Sequence, residues 1–178
     1  PALRFSRDMF LLSFYLRGIP FVDLVHLRKT DVKHNTIYYY RHKTRQQLSV
    51  HIESYAAQII NRYKNEAASS PYLLLILSLT GEDGYRQYKS ALRLYNQHLH
   101  TLSKMLRLSI PLTSYVARHS WATTAKDEGV AISVISESLG HTSEKVTHVY
   151  LASFDNNAMS KANKKVIATI HPNKKKKP

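Results

Sequence analysis

Residues 117–150, ARHSWATTAKDEGVAISVISESLGHTSEKVTHVY, hold an arginine, histidines and a tyrosine at wide spacing in a chain without cysteine. Arg118 and His119 are adjacent, His141 follows a glycine 23 residues after Arg118, and Tyr150 comes nine residues later. An arginine is a permanent cation whose planar fork matches two oxygens of one anion. A histidine gives or takes a proton near neutral pH. A phenol has an ordinary pKa of about 10, so it becomes a nucleophile only beside a cation or a base. Together these groups suit attack on an anionic ester. Each also has a plainer reading alone. Arg118 is then a surface ion-pairing residue, His141 a helix-end residue, Tyr150 one of 12 packing tyrosines and Lys43 a solvated hairpin charge.

Other chemistries find little support. The ten histidines show no H-E-x-x-H spacing and no G-x-x-x-x-G-K-[ST] loop is present, so neither a metal nor a nucleotide cofactor is expected. The lack of cysteine excludes disulfides and cysteine-based zinc sites, and it fits a reducing, cytoplasmic compartment. Lys and Arg number 26 against 12 acids, a formal charge of +14, which points first to nucleic acid as partner. The longest apolar run, YLLLIL, is too short to span a bilayer, so no membrane is expected. A chain of 178 residues fits one domain, or one domain with a tail. Helical pattern begins almost at the first residue, as expected of a piece of a longer protein.

The elements that must position these residues follow from period and punctuation. SRDMFLLSFYLR (6–17) reads as a buried helix broken by GIP, and FVDLVHLRK (21–29) as a second, short helix. TIYYYRHKT (36–44) and QQLSVHI (46–52) read as two strands of a hairpin turning near Arg45. ESYAAQIINRYKN (53–65) is an amphipathic helix, SSPYLLLI a loop with a short apolar segment, and GEDG (81–84) a turn before a helix from about Arg86 to Leu106. A further helix begins at an N-cap Thr113 or Ser114, carries Arg118 and stops at Gly129. A short helix ends at Gly140, another starts after Ser143 and carries Tyr150 in its last turn, and residues 153–168 read as one more. Mostly helix with one small antiparallel sheet makes the class mainly α, formally α+β.

The set Arg118-His119, SLGH ending in His141, and HTSEKVTHVY ending in Tyr150 resembles the catalytic domain of the tyrosine recombinases, or phage integrase family. FVDLVHLRKTDV resembles that family's early helix leading into its sheet, and YRHKT the strand that bears its lysine. The similarity runs from about residue 8 to 155. It implies a helical recombinase catalytic domain over residues 1–168, without the family's N-terminal DNA-binding domain, and a basic tail over 169–178. It implies DNA strand cleavage and rejoining through a 3′-phosphotyrosyl intermediate, with double-stranded DNA as partner. It also implies a homotetramer on two duplexes and a monomer without DNA, with residues 153–168 as a segment docking on the next protomer.

By this resemblance Tyr150 is the nucleophile, Arg118 a phosphate clamp, His141 a donor to a non-bridging oxygen and Lys43 the general acid, while His119 supports the site through hydrogen bonds. Trp121 reads as a core residue. Two positions depart from the family. Tyr115 stands where it has a histidine, three residues before Arg118, as a substitute donor or a packing residue. Pro20 stands where it has its first arginine, three residues before the acidic Asp23. Arg41 is the first candidate to replace that arginine, because side chains two apart in a strand share a face and Lys43 marks that face. Arg17 is the second. Arg28, Lys29, Lys33, Arg45, Arg86, Lys89, Arg93 and Lys145 are candidate phosphate contacts along the duplex, or solvated charges. A catalytically impaired DNA-binding module of the same fold and a type IB topoisomerase are the alternative functions.

Overall fold

The computed structural model describes residues 1–152. Helix α1 (Ala2–Tyr15) carries Met9 and Leu12 into the main core and ends in a Schellman turn, with the amide of Gly18 bonded to the carbonyl of Ser13 at 2.8 Å. Helix α2 (Phe21–His26) follows at once with Pro20 as N-cap, so its missing N–H costs nothing there. A single 3₁₀ turn (Lys29–Asp31) leads into three antiparallel strands in the order β1 (Val32–Lys33), β2 (Thr36–Tyr40), β3 (Gln47–His51). Helix α3 (Ser54–Arg62) and the long α4 (Gly81–Met105) close this core with α1, α2 and the inner face of the sheet. Ile37, Tyr39 and Val50 point inward while Tyr38 and Tyr40 point out, the alternation of a half-buried sheet.

A second, smaller core joins α5 (Val116–Asp127), α6 (Ile132–Leu139) and α7 (Glu144–Ala152) around Ala122, Ile135, Leu139 and Leu151. Trp121 packs against it half-buried. The class is therefore mainly α with a small antiparallel sheet, as the pattern of the sequence led us to expect.

Several boundaries differ from that expectation for local reasons. The sheet has a third strand because His34 and Asn35, both at positive φ (48° and 60°), form a two-residue hairpin between β1 and β2. Asn35 also donates to the Ile52 carbonyl at 2.7 Å. GEDG is the first turn of α4 and not a turn before it, with Glu82 and Asp83 placed to favour the helix N-terminus. Helix α5 starts after Tyr115 and not at Thr113 or Ser114, and Asn96 of α4 accepts the Ser114 amide at 2.8 Å just before it. The expected helix 153–168, its docking role and the tail 169–178 lie outside the described residues.

The two cores meet at Gly18. Its φ is +69°, and a Cβ there would sit 2.7 Å from the Arg118 Cα. Gly129 has a comparable φ of +82° with nothing within 4 Å. Left-handed backbone alone costs an L-residue about 1 kcal/mol, and a core clash adds about 2 kcal/mol more. Gly18→Ala should therefore destabilise the domain about two kcal/mol more than Gly129→Ala, as read from urea midpoints.

Candidate active site

Arg118 is 2% exposed and is the largest fully buried side chain among the described residues. Its Nη1 donates to the Gly18 carbonyl at 3.0 Å and its Nη2 to the Leu139 carbonyl at 2.5 Å. Both acceptors are left over at helix ends, so one side chain ties the close of α1 to the close of α6. No carboxylate of the described residues lies within 4 Å of it. Burial, and then the like charge of Arg41, hold its pKa below the ordinary arginine value, while Tyr150, Tyr115 and Tyr39 act in the opposite direction.

Arg41 is the second buried cation, at 6% exposure. Its Nη1 donates to Asp23 Oδ2, and the other oxygen of Asp23 accepts the His42 amide at 2.8 Å. Its Nε finds no acceptor among the described residues. Strand β2 stops at Tyr40, one residue before Arg41. The expectation of Arg41 and Lys43 side by side on a strand face is therefore corrected. The Arg45 amide bonds the Arg41 carbonyl at 2.9 Å and the Arg41 amide bonds the Gln46 carbonyl at 2.8 Å, which curls 41–46 into a turn. Arg41 points inward from it while Lys43 stays exposed.

That turn rests on the corner between α6 and α7. Thr44 donates to the Gly140 carbonyl at 3.2 Å and Gln46 to the His141 carbonyl at 3.3 Å. Gly140 has a φ of +63°, and a Cβ there would lie 2.8 Å from Arg41 Cγ. A side chain at 140 would thus push on the arginine beneath it. The left-handed corner turns His141 toward Arg118, with the His141 amide bonded back to the Ser136 carbonyl at 3.0 Å.

The tautomer of His141 follows from its neighbours. Arg118 can only donate, so His141 Nε2 accepts from its Nη2 at 3.3 Å. The ring proton is then on Nδ1, donated to Thr147 Oγ1 at 2.8 Å. Burial first, then Arg118, Arg41 and Lys43, push the His141 pKa down to about 4. Tyr150 in α7 lies over this corner. Its ring meets His141 edge-on at 5.7 Å, Tyr115 edge-on at 6.2 Å and His119 face-on at 4.3 Å. Burial, and then Tyr115, raise its pKa, with Arg118 opposing. The resting phenol is therefore neutral.

The structure thus brings Arg41, Arg118, His141, Tyr150, Tyr115 and His119 together, with Lys43 at the rim. Arg17, at φ +57°, is half-buried and donates to the Ser49 carbonyl at 3.5 Å, and no hydrogen bond or ion pair joins it to this cluster among the described residues. Lys29 gives two hydrogen bonds to the carbonyls of Ala67 and Ala68, at 2.6 and 3.0 Å, so its ammonium is largely committed within the protein. Arg28, Lys33, Arg45, Arg86, Lys89, Arg93 and Lys145 are exposed. Sequence reasoning missed Thr147, fully buried and bonded to His141, although it sits three residues before Tyr150 on the same helical face. It also treated Asp23 only as a family landmark and not as the holder of Arg41. A cavity of about 690 Å³ at the N-terminal end of α1, lined by Phe5, Tyr63, Leu94 and Tyr95, contains none of the cluster. No group of three metal-ligating residues forms among the described residues, and no described helix is long and apolar enough to cross a membrane.

The model of the Phage integrase family matches residues 6–157. Among solved structures, the XerA recombinase is similar over 94% of this chain and 63% of its own, at 18% identity and a TM-score of 0.62. A lambda integrase fragment, solved as a dimer bound to a COC′ core site, is similar over 86% of this chain and 53% of its own, at 15% identity and a TM-score of 0.59. The Tn1549 transposon integrase, solved with a circular intermediate DNA, is similar over 90% and 57%, at 16% identity and a TM-score of 0.59. At these identities the likeness is one of fold, and the chain spans less than two thirds of each of these proteins. No curated protein matches the chain.

The depressed His141 pKa gives a signed prediction. An imidazole that ionises near 6.5 when unfolded and near 4 when folded binds fewer protons in the folded state across that window. Stability therefore rises with pH between about 4 and 6.5. Urea midpoints taken across that window should show a shallower slope for His141→Gln than for the unsubstituted protein, and the His141 ring should stay neutral by NMR down to about pH 4.

Proposed function

The chain belongs to the phage integrase family, and from that premise we propose that it carries the catalytic part of a site-specific DNA recombinase. Tyr150 attacks a backbone phosphate. A bond forms from its phenol oxygen to phosphorus as the bond from phosphorus to O5′ breaks, leaving a 3′-phosphotyrosyl ester and a 5′-hydroxyl. The 5′-hydroxyl of a second duplex reverses the step. One ester replaces another, so the exchange needs no nucleotide cofactor.

The observation that carries this reading is a charge imbalance. Arg41 and Arg118 are both buried, and among the described residues Asp23 is the carboxylate that pairs with them. Buried charge calls for a counter-charge. A phosphodiester supplies one negative charge and its five-coordinate transition state supplies more, where preorganised donors act most strongly. Arg41 takes the part of the arginine absent at Pro20. Its like-charge effect on both Arg118 and His141 supports that assignment over Arg17.

The other roles follow from the resting hydrogen bonds. A phosphate oxygen that draws Arg118 Nη2 releases His141 Nε2. That nitrogen then takes the phenol proton, and the resulting imidazolium donates to a non-bridging oxygen. Lys43, exposed at the rim, protonates the leaving O5′. The Tyr115 hydroxyl is a substitute donor to the phosphate. The exposed cations Arg28, Arg45 and Lys145 follow the duplex backbone, adding affinity that falls with salt and little sequence information. The working assembly is a homotetramer on two duplexes, formed from monomers.

A nicked suicide duplex tests this, because its short 5′ fragment diffuses away and traps the ester. The unsubstituted protein should form a covalent, denaturant-resistant adduct and Tyr150→Phe none. Arg41→Ala and Arg118→Ala should each slow the adduct by on the order of 10²-fold. Pro20 and Tyr115 are the features that favour a binding module without turnover. A band shift in native gels with no adduct from the unsubstituted protein would establish that module instead.

Lys43 has its own test. A bridging 5′-sulfur leaves without protonation, so Lys43→Ala should be strongly slowed on the oxygen substrate and close to the unsubstituted rate on the sulfur one. An equal defect on both would remove Lys43 from the general-acid role.

A further inference from the structure

We propose that His119 is a positioning residue that seats the Tyr150 ring by face-to-face stacking before DNA is bound. The inference rests on the reading of Tyr150 as nucleophile and assigns His119 a means of action other than support through hydrogen bonds. The two rings are nearly parallel, with an interplanar angle of 5° and centroids 4.3 Å apart. Two further ring contacts of Tyr150 among the described residues are edge-on. Tyr115 meets it at 74° and His141 at 73°. One flat contact and two edge contacts fix the plane of a phenol that would otherwise turn about its χ angles.

The seat is built on the most constrained part of α5. His119 follows Arg118, whose guanidinium is locked to two helix-end carbonyls. Tyr115, four residues before His119 on the same helical face, packs edge-on against the imidazole at 4.8 Å and 69°. The arginine that clamps the phosphate and the ring that supports the nucleophile are thus consecutive residues of one rigid turn. Burial and then Arg118 lower the His119 pKa, so the stacking ring is uncharged near neutral pH and brings no further cation beside Arg118. This arrangement supplies orientation in advance, and misplacement of a reacting atom by about 1 Å costs on the order of 10²-fold in rate.

The test compares His119→Phe, which keeps a flat ring and loses both nitrogens, with His119→Asn and His119→Ala, which lose the flat ring. Tyr150 is replaced by 3-fluorotyrosine, and its fluorine resonance is read in DNA-free protein. The ring-current displacement should persist in His119→Phe and collapse in His119→Asn and His119→Ala, with circular dichroism confirming that all three are folded. In single turnovers on the suicide duplex, with ordinary Tyr150, His119→Phe should stay within about threefold of the unsubstituted protein. His119→Asn and His119→Ala should fall by on the order of tenfold at unchanged DNA affinity. A fluorine resonance that does not move in His119→Ala would overturn the proposal, as would activity rescued by asparagine and not by phenylalanine. If the unsubstituted protein forms no adduct, the nucleophile assignment fails, and the positioning role fails with it even where the fluorine shift shows the stack.

Discussion

Two guanidiniums held below the surface, only one of them paired with a carboxylate among the described residues, are the constraint on which the rest of the structure depends. Arg118 satisfies its hydrogen bonds with the carbonyls of Gly18 and Leu139, but carbonyls do not cancel its charge. Hydrogen bonds to a charged group are worth about 1.5–3 kcal/mol each, enough to hold α1 and α6 against α5. The arrangement also dictates which residues can surround it. Gly18 must lack a Cβ because α5 passes too close, and Gly140 must lack one because the Arg41 stem lies against it. Two glycines far apart in the chain thus answer to two arginines that are equally far apart.

The same burial sets the protonation states of the resting site. Taking His141 out of water beside Arg118 and Arg41 disfavours imidazolium, and taking Tyr150 out of water disfavours phenolate. Both groups are therefore neutral until an anion arrives. On the proposed reading, a phosphate between the arginines offsets the cations that repel a proton from His141 and makes that ring a better base. It does not favour phenolate at Tyr150, whose shift comes from burial and Tyr115 with Arg118 opposing. Thr147 keeps the ring proton on Nδ1 meanwhile, so that Nε2 faces the arginine.

Much of this was legible in the sequence, and the gaps have physical causes. The spacing of Arg118, His141 and Tyr150 around Gly129 and Gly140 is written locally, because each helix end is marked by its own glycine. The third strand was not, since two residues of Val32–Lys33 carry no period. The partners of Arg118 were not either, since backbone carbonyls have no signature in a sequence. Arg41 was reached from the wrong geometry. Alternation along a strand put it beside Lys43, whereas the chain leaves the strand at Tyr40 and curls, burying one cation and exposing the other. The stack of His119 on Tyr150 joins residues on different helices, and only the assembled corner of α5, α6 and α7 reveals it.

The substitution at Pro20 becomes intelligible from the same geometry. Proline at the N-cap of α2 still offers its carbonyl, which accepts the amides of both Asp23 and Leu24 at 2.9 Å. Asp23 is thereby fixed in the first turn, where the helix dipole favours a carboxylate. Arg41 reaches the same carboxylate from the other side, out of a turn closed by its own backbone and pressed on Gly140 and His141. Arg41 thus lies in the same short turn as Lys43, two residues away, and Asp23 holds the one inward while the other stays exposed.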